Sequence, residues 1–173
     1  MFSKTDIEKY FLAEKQESLL FLIVGIIGII LALVFFFSKT NFYKGAAVPL
    51  LTIGLLMGVA GYTVYARSDS DRKRNVYAYD MNPAEIKEKE IPRMEKVMKN
   101  FVIYRYVQIT LLLLGIGLFY YFNNNELQIF WKGFGITLAI MALITLSADY
   151  FAEKRGDEYL KGLNFRVGAL KAT

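Results

Sequence analysis

Leu19-Leu20-Phe21-Leu22-Ile23-Val24-Gly25-Ile26-Ile27-Gly28-Ile29-Ile30-Leu31-Ala32-Leu33-Val34-Phe35-Phe36-Phe37 contains no charged or polar side chain. As a helix the run is about as long as the roughly 30 Å hydrocarbon core of a bilayer is thick. Three more stretches read the same way: Ala46 to Ala66, Phe101 to Phe122 and Ile129 to Phe151. None has a charge near its middle. In lipid a segment must satisfy its own backbone polar groups, which a helix does. The pattern predicts an all-α fold, an integral membrane four-helix bundle. The first run ends in Phe35-Phe36-Phe37-Ser38 rather than in a small-residue cleavage site, so it is expected to remain as a spanning helix.

The four runs take up about half of the 173 residues and leave no room for a separate soluble enzyme domain. The chain has neither Cys nor His. That excludes Ser/His and Cys/His catalytic pairings and the usual ligands of zinc, haem and iron–sulfur centres. No catalytic residue, cofactor or metal site is expected. The net charge is +5, but membrane proteins gather Lys and Arg beside the cytoplasmic leaflet, so nucleic acid is not an expected partner.

Eighteen of the 21 Lys and Arg residues fall on one side of the four runs; only Lys39, Lys44 and Lys132 fall on the other. The positive-inside rule then puts both termini and the central segment on the cytoplasmic side. The outer connections, Ser38 to Gly45 and Asn123 to Gln128, are short, which predicts two antiparallel hairpins.

Residues 1–18 read as a cytoplasmic helix opened by a Thr5-Asp6-Ile7-Glu8 capping box. Its apolar face, Ile7, Tyr10 and Phe11, either docks a partner or lies on headgroups or the bundle. Residues 67–100 form a cytoplasmic helical loop. It begins with the mixed cluster Arg67 to Arg74, followed by Tyr77 and Tyr79, expected at interfacial depth. Asn82-Pro83-Ala84-Glu85 is a helix start. Glu85, Lys87, Glu88, Lys89 and Glu90 are expected on solvent-facing turns, with Glu85 paired to Lys89. Pro92 predicts a break at Ile91, after which a helix runs into the third span. Met94, Val97, Met98 and Phe101 then line one face, as a candidate partner surface or as a cap over the bundle's end. In the tail, 152–173, Gly156, Gly162 and Gly168 argue against one long helix and favour a short one around Asp157 to Leu163.

Within the spans, Gly54-Leu55-Leu56-Met57-Gly58, extended by Gly61, is a GxxxG packing signal. It marks either a contact inside the monomer or a homo-oligomer seam. Gly28 with Ala32 and Gly135 with Ala139 are weaker small-residue pairs. Arg105, Gln108 and Asp149 gather near the cytoplasmic end: Gln108 is expected to bond across to another helix or to water, and Arg105 to clasp Asp149. Any chemistry or recognition is expected there.

Tyr65-Ala66-Arg67-Ser68-Asp69, Asn82-Pro83, Pro92-Arg93-Met94-Glu95 and Phe101-Val102-Ile103-Tyr104-Arg105 resemble small four-pass bacterial inner-membrane proteins that are uncharacterised. The resemblance implies a bacterial inner membrane and brings no activity. Three functional classes fit the chain. The first is a non-enzymatic membrane protein acting by protein–protein interaction, as an accessory, regulatory or immunity-type subunit. The second is an oligomeric channel or small transporter. The third is a lipid-modifying enzyme relying on Asp69, Asp71, Asp80, Glu95 or Asp149, although no spacing among these matches a metal or phosphate motif. The expected partners are membrane lipids, another membrane protein or a second copy of the chain.

Overall fold

The computed structural model describes residues 2–171; Met1, Ala172 and Thr173, the outermost residues of the two expected terminal segments, lie outside the described residues. The long helices are α1 (Lys4–Phe36), α2 (Asn41–Met81), α4 (Ile91–Tyr121) and α5 (Ile129–Lys171). Between α2 and α4 lie the one-turn helix α3 (Pro83–Glu85) and a π-helical turn (Ile86–Glu90). Four helical stretches, Lys4–Phe36, Asn41–Met81, Pro83–Tyr121 and Ile129–Gly168, are long and apolar enough to cross a membrane.

Each long helix outruns its apolar stretch at the same end of the molecule. There the charged extensions pack into a lobe around Ile7, Tyr10, Phe11, Ala78, Ile86, Ile91, Met94, Tyr159 and Leu163. The largest fully buried side chains, Phe11, Ile7, Ile86, Met94 and Leu163 among them, all sit here. Each contributes roughly 1.5–3 kcal/mol by leaving water. The apolar sections instead keep most of their large side chains outward, as helices with an apolar solvent do.

α2 and α5 are the inner pair; α1 packs along α2, and α4 packs chiefly on α5. Small residues set the closeness of these seams. A Cβ on Gly25 would stand 2.6 Å from the Gly58 nitrogen, and one on Gly61 2.6 Å from the Ser18 oxygen. On the other side a Cβ on Gly115 would meet the Ala139 nitrogen at 2.6 Å, with Gly135 next to it. Gly54 and Gly61 thus face α1 within the monomer. Gly54 lies against Gly25 and Ile29, and Gly28 against Leu50 and Gly54. Gly58 differs from its neighbours: its own Cβ direction is open, with nothing within 4 Å.

Several expectations need correcting. α1 is capped by Ser3, not Thr5: Asp6 accepts from both the Ser3 N–H at 2.9 Å and its hydroxyl at 2.8 Å. The tail forms no separate short helix but continues α5 without a break. Two of its glycines admit close neighbours, Gly156 the Met98 and Met94 side chains and Gly162 the Phe2 ring, while a Cβ on Gly168 would meet nothing within 4 Å. That packing outweighs the roughly 1 kcal/mol each glycine costs a helix. Tyr77 and Tyr79 lie three turns or more past Ala66, roughly 16 and 20 Å along α2. Tyr79 there donates to the Phe2 carbonyl at 2.8 Å and packs under Arg166, inside the lobe.

Glu90 is the largest departure. It is 2% exposed and does not face solvent. Ile86 and Met94 bracket it at four residues on either side, so helical spacing carries it onto the buried face. Pro92 has no N–H to donate, and the preceding turn relaxes to an i→i+5 bond from the Ile91 N–H to the Ile86 carbonyl. That wider turn brings Ile91 in beside Ile86. The expected Glu85–Lys89 pair does form on the outside, at 3.2 Å.

Candidate functional site at the junction of the apolar and charged sections

Where the apolar sections meet the lobe, ion pairs tie the helices together. The Arg155 guanidinium on α5 grips Glu17 of α1 through both of its terminal nitrogens, one at 2.6 Å from Oε1. Lys15 of α1 reaches Asp69 of α2, and Lys4 reaches Asp80. Deeper in the lobe Arg93 donates twice to Glu90, at 2.9 and 2.6 Å, and the Tyr159 hydroxyl donates to the same carboxylate at 3.2 Å. Burial works against the Arg93 and Arg155 charges, but Glu90 and Glu17 outweigh it and hold both guanidinium groups protonated.

Tyr10 and Tyr159 stack nearly parallel with ring centres 4.0 Å apart. Burial, reinforced by Glu14 at Tyr10 and Glu90 at Tyr159, pushes both phenols far above their usual range. They serve as neutral hydrogen-bond donors, not as bases. Ser68, Asp71 and Asn75 are buried along one face of α2, where Asn75 donates to the Asp71 carbonyl at 2.9 Å.

Between α1, α2, α4 and α5 lies a cavity of about 200 Å³ lined by Tyr10, Glu14, Glu17, Ser18, Arg67, Val97, Phe101, Asp149 and Arg155. Glu14 faces Tyr10, Ser68, Arg67, Arg93 and Asp71. Burial lifts its carboxyl above the ordinary range, against the pull of Arg67, which comes no nearer than 4.0 Å. A carboxyl lifted in the fold weakens it when ionised. The penalty is absent below the ordinary carboxylate range, grows as pH rises toward the lifted value and is constant above it. Glu14→Gln is therefore expected to melt higher than the parent at pH 8 and to lose that advantage by pH 4. An advantage that grew on acidification in circular-dichroism melts would contradict this assignment.

On the outer side of the same level, α4 and α5 enclose a lateral groove of about 480 Å³. Its polar lining is Arg105, Gln108, Ser147, Asp149, Tyr150 and Glu153; Phe101, Ile109, Leu146 and Phe151 supply its walls. Arg105 pairs with Glu153, not with Asp149. The two helices run antiparallel, so α5 presents Glu153 at the level of Arg105 and Asp149 one turn deeper, at the level of Gln108. Gln108 Nε2 donates to Asp149 Oδ2 at 2.6 Å. Asp149 thus borders both the groove and the inner cavity.

Of the candidate partner stripe, Met94 is fully buried in the lobe and Val97 and Phe101 line the inner cavity. Met98 packs beside Gly156 of α5. These contacts lie within the chain, over the end of the apolar section. At the opposite end Lys132 donates to the Asn123 carbonyl at 3.4 Å. Among the described residues no group of three Asp or Glu side chains converges as metal ligands.

The polar lobe network escaped the sequence reading, yet it had a signal. Ser68, Asp71, Asn75 and Ala78 recur at three- and four-residue steps, as core positions do. Tyr10, Glu14 and Glu17 do likewise on α1.

The structure defines an all-helical chain with four helices capable of crossing a membrane and a charge-rich lobe at one end. No protein-family model, curated protein or solved structure matches it.

Proposed function

We propose that the chain is a non-enzymatic protein of a bacterial inner membrane, with the charged lobe and both termini in the cytoplasm, and that it acts by binding another membrane protein. The 18-to-3 division of Lys and Arg supports this orientation. The resemblance to small four-pass bacterial membrane proteins agrees with it.

The observation that carries the interaction reading is the position of α4. Its apolar section rests on α5 and is the least covered of the four, with 6% of its most apolar stretch buried. Its free side bears a depression of about 500 Å³ formed by Thr110, Leu113, Leu114, Gly117, Leu118 and Tyr121. A Cβ on Gly117 would meet nothing within 4 Å. In lipid, helices associate through shape and small residues that admit a close backbone, and this face offers both.

Photo-crosslinking in cells tests the reading. A benzophenone amino acid at Leu113 or Tyr121 is expected to give a discrete protein adduct heavier than the chain. The same probe at Ile27 or Leu31, which are also exposed on α1, is expected to give none. Equal labelling at both helices would reject the α4 surface. An adduct of twice the chain's mass would replace the heterologous partner with a second copy.

A further inference from the structure

The groove between α4 and α5 shows what chemistry it lacks. Arg105 and Glu153 neutralise each other, which leaves Asp149; among the described residues no basic group lies within ion-pair distance of it. A carboxylate only accepts hydrogen bonds, so Gln108 turns its Nε2 toward Asp149. The amide's other atom, Oε1, is then buried with no partner, and Asp149 Oδ1 receives nothing from Gln108. The vacant capacity at the bottom of the groove is two acceptors and one negative charge. At the rim Arg105 uses a single terminal nitrogen, Nη2, on Glu153. Its remaining N–H groups are available to an anion. The ligand that matches is a primary ammonium joined by a short link to a phosphate.

We infer that this groove binds the head of an amine-bearing phospholipid of the phosphatidylethanolamine type, its ammonium on Asp149 and Gln108 and its phosphate on Arg105. The inference rests on the membrane reading above. It follows from that reading that the groove opens sideways to lipid at headgroup level, since Phe101 begins the third apolar run and Phe151 ends the fourth. Leu146 and Phe151 then flank the start of the acyl chains. The amine has to pass the rim to reach Asp149, so each N-methyl group removes a donor and adds bulk where two acceptors wait. A quaternary choline head has no N–H left to give.

Native mass spectrometry of the full chain in mild detergent tests this with five lipids of the same acyl composition. Phosphatidylethanolamine, its N-methyl and N,N-dimethyl derivatives and phosphatidylcholine should bind in that descending order, with about a tenfold span from first to last. Phosphatidylglycerol, which has the phosphate without the amine, should bind no better than phosphatidylcholine. Asp149→Asn keeps the side chain's shape and should erase the ordering, while Asp157→Asn, outside the groove, should leave it intact. The methylation series uses the unaltered protein, so the inference stays testable even if Asp149→Asn folds poorly. Equal retention of all the lipids would overturn it, as would an ordering unchanged in a folded Asp149→Asn. A protein adduct displacing lipid from the groove would overturn it too. Release of the chain from membranes by alkaline carbonate would instead overturn the membrane reading, and that outcome is distinct from the lipid ranking.

Discussion

Replacing Glu90 with Ala is expected to cost about 3–5 kcal/mol, the usual consequence of removing one partner of a buried ion pair. For a chain of this length that is a fall of about 10 °C in melting temperature. Glu90 is 2% exposed and accepts from Arg93 twice and from Tyr159 once, with Arg74 a further 3.7 Å away. Its removal strands the Arg93 guanidinium, whose Nη1 is already buried without a partner. Glu88→Ala, on an exposed turn two residues earlier, should move the melt by less than about 2 °C. The double variant Glu90→Leu with Arg93→Met should recover much of the loss, because apolar groups of similar volume often replace a buried pair at no net cost. Circular-dichroism melts in mild detergent read all three. A Glu90→Ala shift below about 2 °C would mean that the lobe does not depend on this carboxylate.

The same residue shows why part of the fold was legible in the sequence and part was not. The apolar sections could be read because a bilayer core demands about 20 consecutive apolar residues, a signal that survives ignorance of the packing. The lobe is built on the opposite principle. Its helices are held by residues such as Glu90, Asp71, Asn75 and Ser68, which look like surface until a partner from a distant segment satisfies them. Glu90's partners are Arg93, one turn away, and Tyr159, on another helix. Only the first lies within reach of local pattern reading. The clasp illustrates the remaining limit. The sequence brings Arg105, Gln108 and Asp149 to one end of the spans, but their pairing depends on helix register. A one-turn offset hands Arg105 to Glu153 and Asp149 to Gln108. The tail glycines misled for a related reason. Their cost to an isolated helix is known, whereas the Phe2 ring and Met98 that occupy the space come from elsewhere in the chain.

The glycine seam between α1 and α2 gives the second large effect, and it separates two residues that the GxxxG motif treats alike. In Gly61→Ala the new methyl would stand 2.6 Å from both the Leu22 nitrogen and the Ser18 oxygen. Both are backbone atoms of a continuous helix and cannot step aside singly, so α1 and α2 must part along their length. Overpacking of this kind costs about 1–3 kcal/mol, or about 5 °C here. Gly58→Ala adds its methyl to open space, and the gain in helix propensity, up to about 1 kcal/mol, should leave it level with or slightly above the parent. The expected melting order is therefore Gly58→Ala at or above the parent, then Gly61→Ala clearly below, with Gly61→Leu failing to fold. Gly61 and Ser18 also wall the cavity that holds Glu14. Parting the helices there admits water to the carboxyl and removes the burial that lifts it. Gly61→Ala should consequently lose most of the stability gain that Glu14→Gln brings at pH 8, so that the two substitutions combine to less than their separate effects. Strict additivity in a double-mutant cycle would show that the seam and the buried acid are uncoupled.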